Sequence, residues 1–162
     1  ENCIRKADTT HGERVLRVLD RLRAGGRITN VELADSGGLT APPCLRRMRT
    51  LEDEGVIKSY HAAIDPTKMG YTITVFALVS LKSQAETDLQ MFEDHVQQLP
   101  EVRECYMLNG EIDFILKVVA KDLQQFLSFL TSQLTAAPNV ASVKTSLTIR
   151  SAKHLPGVPI EG

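Results

Sequence analysis

The chain has 162 residues, 43% hydrophobic and 24% charged, with ten Gly, seven Pro and a formal net charge of -1, which excludes a disordered or polyelectrolyte chain. Its longest apolar run, residues 75–79, is strand-sized and far below the ~20 residues of a membrane-spanning helix, so no membrane partner is expected. Cysteines at 3, 44 and 105 form no CxxC pair, and the opening Glu1-Asn-Cys-Ile-Arg-Lys6 lacks the apolar core of a signal peptide, so a reducing cytoplasm is the expected compartment.

Charge is unevenly spread. Residues 1–60 hold 11 Lys/Arg against 9 Asp/Glu, and residues 61–162 hold 8 against 11. Nine of the eleven cations in the first part are Arg, whose planar fork matches phosphate and guanine edges. With the total charge near zero, nucleic-acid binding has to come from a local cluster.

In chain order, Val15, Leu16, Leu19 and Leu22 recur at helical spacing over residues 10–24, with Thr10 and Glu13 at capping-box spacing and Gly25-Gly26 as the stop. A second box, Thr29 with Glu32, opens a short helix that ends at Ser36-Gly37-Gly38. Thr40 is placed to cap a third helix, with Pro42 and Pro43 in its first turn and its end at Glu54-Gly55. Three helices with a Gly turn before the last are the sequence form of a helix-turn-helix. Residues 56–60 and 62–64 read as extended, in the manner of a winged module with a strand linker, and Asp65-Pro66 marks a turn.

From Gly70 the period changes to two. Ile73, Val75, Ala77, Val79 and Leu81 alternate with Thr74, Phe76, Leu78 and Ser80, and both sides are apolar enough to expect cover on both. A helix over 86–99 follows, then strands over 102–108 and 114–120 with Asn109-Gly110 as a hairpin signal. A helix over 123–134 and a strand over 140–149 complete a βαββαβ order, the ferredoxin-like pattern. The expected class is α+β, with residues 1–60 as DNA-binding domain, 61–69 as linker, 70–153 as ferredoxin-like domain and 154–162 as tail.

On the third helix, Cys44, Leu45, Met48 and Leu51 share a sector predicted to face the core. Arg46 and Thr50 point outward, Pro42 and Pro43 share that face, and Arg47 and Arg49 flank it, as in a helix seated in the major groove with cations toward phosphates. Arg27 and Asn30 are further phosphate candidates. The bland alternative is a solvated face, with the arginines paired to Glu52, Asp53 and Glu54. The trihelical unit is too small to justify itself as a core, which favours the binding reading.

These residues resemble the Lrp/AsnC (feast/famine) family of transcription factors. The resemblance runs from about residue 10 to 153 and rests on Gly26-Arg-Ile-Thr-Asn-Val-Glu-Leu-Ala34, Gly38-Leu-Thr-Ala-Pro-Pro-Cys-Leu-Arg-Arg-Met48 and Leu51-Glu-Asp-Glu-Gly-Val-Ile-Lys-Ser-Tyr60. It implies a DNA-binding N-terminal domain, a strand-containing linker and a C-terminal domain that dimerises and senses amino acids, with tetramers or octamers built from the dimers. Glu104-Cys-Tyr-Met-Leu-Asn-Gly-Glu-Ile-Asp-Phe114 looks like the family's Gly-x-x-Asp effector loop. The chain departs from the family at Gly25, where Asp is common, at Asn109, where Thr or Ser is usual, and at Glu111, where Asp is usual. The longer Glu111 side chain changes the size and reach of any effector pocket.

Backbone N–H groups near Gly110 are suited to an α-carboxylate, and Glu111 or Asp113 to an α-ammonium. The alternative makes Asn109-Gly110 a plain hairpin turn and Asp113 a solvated strand-end charge. By position in the family, Met107, Leu108, Ser142 and Thr145 are wall candidates. His11, His61, His95 and His154 are scattered, and no phosphate loop or nucleophile elbow occurs, so neither a metal, a cofactor nor catalysis is expected. The expected function is a sequence-specific transcriptional regulator responding to an amino acid or related metabolite. Its rivals are an enzyme on the same fold, resembling sirohaem decarboxylases, and a nucleoid-type architectural protein.

Overall fold

The computed structural model describes residues 9–160, with side chains from Gly12 onward, so the Thr10 side chain of the expected Thr10–Glu13 cap lies outside the described ones. Contacts divide the described residues into two compact units, one up to Ala63 together with the stretch from Lys153, the other Ile64–Ala152. The tail that the sequence set apart thus groups with the first unit.

The first unit contains α1 (Thr9–Ala24), α2 (Asn30–Ser36) and α3 (Ala41–Asp53). Thr29 caps α2 as expected: the Glu32 N–H donates to Thr29 Oγ1 at 3.3 Å and the Thr29 N–H donates to Glu32 Oε2 at 2.9 Å. The Thr29 N–H, together with the Thr29 hydroxyl that donates to Glu32 Oε2 at 2.8 Å, holds the Glu32 carboxyl below its ordinary pKa. The turn into α3 uses two glycines for different reasons. A Cβ at Gly37 would lie 3.1 Å from Val18 Cγ2, and Gly38 has φ +62°. Val18, Leu33, Ala34, Cys44 and Met48 form the buried core, with Leu22, Ile28, Leu39 and Ile57 packed against it.

Three expectations fail here. Thr40 occupies the cap position of α3 with extended backbone but makes no side-chain cap bond. The N–H groups that such a cap would satisfy belong to the second and third helical residues, and both are proline. Leu45 is 37% exposed rather than buried, because it sits about 60° round the helix from Met48, at the margin of the apolar sector. The strand linker is also not formed, since no described residue before Ile73 belongs to a ladder. Residues 58–65 run without regular structure, and among the described residues their backbone pairs with no strand.

The second unit opens on a turn in which Asp65 Oδ1 accepts from the Thr67 N–H and hydroxyl at 2.9 and 2.6 Å. Its sheet comprises β1 (Ile73–Leu81), β2 (Val102–Met107), β3 (Phe114–Ala120) and β4 (Val140–Leu147), in the order β2-β3-β1-β4 with antiparallel pairs throughout. α4 (Glu86–Gln97) and α5 (Leu123–Phe129) cover one face, where Phe92, Val96, Phe126 and Phe129 pack with Val75, Ala77 and Val79. This is the βαββαβ fold read from the sequence, with β2 and β4 shorter than expected by one and two residues.

Three details differ. The 123–134 helix is not uniform: after Phe129 it widens into a π-turn, Leu130–Leu134, closed by Thr135 N–H donating to Leu130 O at 2.8 Å. The hydroxyls of Thr131 and Ser132 both donate back to Ser128 O, competing with the helical ladder. The Asn109-Gly110 dipeptide forms no two-residue hairpin, because neither residue has the positive φ of a type I′ turn and the loop runs from Leu108 to Asp113. Finally, cover on both sheet faces is not found among the described residues of this unit. None of its helices lies on the face carrying Phe76, Leu78 and Ile115, and Phe76 is 38% exposed.

Candidate nucleic-acid interface and effector loop

The surface of α3 is built by its own wheel. Cys44, Met48 and Leu51 anchor it to the core, which turns Pro42, Arg46 and Thr50 to solvent, with Arg49 exposed on one side. Pro43 and Arg47 are half-buried, and Arg47 Nη1 is enclosed without a hydrogen-bond partner. The Thr50 hydroxyl donates to Arg46 O at 3.1 Å, so only its lone pairs face outward. Arg27, Asn30 and Thr40 are exposed, and the Thr40 hydroxyl is left out of the helix cap.

The solvated-face alternative predicted ion pairs with Glu52, Asp53 and Glu54. Among the described residues Arg46, Arg47 and Arg49 form none, while Arg17–Glu13, Arg23–Asp20 and Lys117–Glu104 do pair. Glu52 is held instead by Tyr60, whose hydroxyl donates to Glu52 Oε1 at 2.7 Å. Partial burial, that hydrogen bond and the adjacent carboxylate push the Tyr60 phenol up to about 12. The three guanidinium groups are therefore uncompensated locally, which suits an external polyanion.

Between β2 and β3, the loop residues Leu108, Asn109, Gly110 and Glu111 are exposed, as is Met107 at the end of β2, whereas Asp113 is only 6% exposed. Its Oδ2 accepts from the Leu81 N–H at 2.6 Å and its Oδ1 from Gln84 Nε2 at 2.8 Å. The backbone is tied as well, with Asp113 N–H donating to Val79 O at 3.1 Å and Leu108 N–H to Asp113 O at 2.8 Å. Asp113 is thus not a solvated charge, and both oxygens of its carboxylate accept hydrogen bonds that position the loop. Gln84, which completes this arrangement, carries no sequence signal, being joined to Asp113 only through the tertiary fold.

Gly110 has no positive φ, and a Cβ there would meet nothing within 4 Å, so the chain itself does not require glycine at this position. Ser142 pairs across from Ser80, whose hydroxyl lies 3.5 Å from Glu111 O, so Ser142 joins the loop end of the sheet. Met107 and Thr145 do not meet. They lie on the opposite edge strands, β2 and β4, separated by two intervening strands, about 14 Å.

Cys44 is buried, and burial raises its pKa; Cys105 is pushed up to about 11 by burial and the nearby Glu93 charge, which suppresses the reactive thiolate. No cluster of three metal-ligating side chains occurs among the described residues, and the described His95 hydrogen-bonds Gln133 O at 2.9 Å. No helix among them is long and apolar enough to cross a membrane.

Family models match both units: a winged helix-turn-helix DNA-binding model over residues 13–58 and an Lrp/AsnC ligand-binding-domain model over residues 74–158. The leucine-responsive regulatory protein of Rhizobium meliloti is 46% identical over 85% of this chain and 88% of its own. The Bkd operon transcriptional regulator of Pseudomonas aeruginosa is 38% identical over 84% and 89%. A Neisseria meningitidis transcriptional regulator crystallised with L-Met superposes with a TM-score of 0.86 at 31% identity, covering 95% of this chain and 97% of that one. The chain belongs to the Lrp/AsnC family, as a transcriptional regulator that joins a helix-turn-helix DNA-binding domain to a ferredoxin-like ligand-binding domain.

Proposed function

We propose that the regulator docks α3 in the major groove with Arg46 toward base edges, and Arg27, Asn30, Thr40, Arg47 and Arg49 toward phosphates, with Pro42, Pro43 and Thr50 completing the surface. The observation that carries this reading is the set of α3 arginines without ion-pair partners among the described residues. Titration of a labelled duplex across salt concentrations tests it. Phosphate docking gives log affinity falling linearly with log salt, by about 0.9 per phosphate neutralised. A flat response ends the assignment.

The working form is a homodimer joined through the uncovered sheet faces, presenting two α3 helices to pseudo-palindromic half-sites. Phe76, Leu78, Ile115 and Tyr106 supply an apolar centre, and the Lys117–Glu104 ion pair lies on the same face. Phe76→Lys buries an unpaired ammonium directly opposite Lys117, at roughly 3–5 kcal/mol, which weakens dimerisation a hundredfold or more. Sedimentation of the variant as a stable dimer at low micromolar concentration contradicts this interface.

The effector is an amino acid held at the loop by Asn109, Gly110 and Glu111, with Met107, Leu108, Ser142 and Thr145 as walls. Because Met107 and Thr145 occupy opposite sheet edges, one small ligand contacts both only between copies, which supports a site formed by assembly of dimers into tetramers or octamers. The cytoplasm is the proposed compartment.

A further inference from the structure

The helix-turn-helix unit contains a cavity of about 310 Å³ that shares Asn30 and Arg49 with the proposed DNA-facing surface. Its floor is apolar, with Leu33 and Met48 both buried. Leu45, Tyr60, Arg49 and Glu52 line the cavity and are exposed, forming its mouth. This volume is at the lower end for small-molecule pockets, roughly 300–1,000 Å³, and suits a body the size of a single amino acid.

The mouth holds two opposite charges that do not neutralise each other. Tyr60 fixes one oxygen of the Glu52 carboxylate, and Oε2 has no partner among the described residues. Arg49 forms neither an ion pair nor a hydrogen bond among them, although it lies three residues before Glu52 on the same helix, where side chains are neighbours. A ligand that satisfies both carries an anion and a cation close together on an apolar body.

We propose that the DNA-binding unit carries an amino-acid site of its own, separate from the effector loop. The Arg49 guanidinium receives an α-carboxylate, Glu52 Oε2 receives an α-ammonium, and an aliphatic or thioether side chain lies over Leu33 and Met48 beside Leu45. The regulatory consequence rests on the DNA-binding reading above: ligand and phosphate compete for Arg49, so occupancy weakens DNA binding without a change of assembly.

The chain's methionines separate this site from the loop, because Met48 lines the cavity while Met107 adjoins the loop. Full-length protein labelled with ¹³C at the methionine methyls is titrated with L-leucine, L-methionine and, as a control, L-glutamate. The Met48 resonance is expected to shift saturably with the two apolar amino acids and not with glutamate. Blocking either charge, in L-leucinamide or N-acetyl-L-leucine, weakens the response about tenfold or more. Arg49→Gln and Glu52→Gln remove the Met48 shift and leave the Met107 resonance responsive, while Glu111→Ala leaves the Met48 shift intact. A static Met48 overturns the site, and a moving Met107 in that experiment leaves the effector-loop reading standing. Loss of the Met48 shift in Glu111→Ala also overturns it, by making the shift an echo of the loop.

Discussion

Arg46→Ala is expected to lower affinity for a specific duplex by about 1–3 kcal/mol, roughly five- to 150-fold, and to erase discrimination at the base it faces. The side chain stands at the outermost point of α3, directly opposite the sector that Cys44 and Met48 bury, and it has no carboxylate partner among the described residues. Its removal creates no cavity and orphans no buried group, so stability is unchanged and the loss is confined to binding. Arg47→Ala behaves differently. It weakens specific and random sequences alike and reduces the salt slope by about one, because a phosphate contact carries no sequence information. Arg47 is also half-buried with Nη1 enclosed, so this variant loses packing as well. Fluorescence anisotropy with matched specific and scrambled duplexes over 50–200 mM salt separates the two, and wild-type binding by both variants contradicts the assignment of α3.

The second large effect concerns stability. Asp113→Ala deprives the Leu81 N–H and the Gln84 amide of their acceptor in a nearly closed environment. The buried Leu81 N–H left unsatisfied costs about 1–3 kcal/mol, whereas the amide of the exposed Gln84 turns to water and adds little. For a chain of this size each kcal/mol is worth about 2–4 °C in melting temperature, so a fall of about 2–12 °C is expected. Amide exchange should accelerate across residues 108–113 and at Leu81, where the loop and β1 are joined. Glu111→Ala, which removes an exposed side chain, leaves the melting temperature unchanged and alters only the amino-acid response. Calorimetry on the two variants decides the matter: an unshifted melting temperature for Asp113→Ala means that the carboxylate is not what holds the loop.

The helices of both units were legible because each rests on local regularities. Capping of α2 needs only Thr29 and Glu32 three residues apart, and the period-two run from Ile73 needs only alternation. The wheel of α3 placed Cys44, Met48 and Leu51 inward and Arg46 outward for the same reason. It erred at Leu45, where burial depends on how far neighbouring helices extend around the sector. The cap at Thr40 fails for a local reason: the prolines that favour a helix start also remove the N–H groups a cap would bind.

Asp113 shows the other limit. Its spacing from Gly110 matched a family pattern, yet its partners Leu81 and Gln84 stand about thirty residues earlier and meet it only through the β1–β3 ladder. The same ladder order parts Met107 from Thr145, which chain position alone had made fellow candidates. What the chain determined by itself was the identity of its elements and the presence of an arginine-bearing helix, since hydrophobic period, caps and turn residues act within a few positions. What only the tertiary structure decided was the fate of particular polar and border residues: which carboxylate is buried, which leucine opens onto a cavity, which sheet face stays bare. Those outcomes depend on groups brought together from distant parts of the chain, and desolvation there is set by the neighbours that arrive.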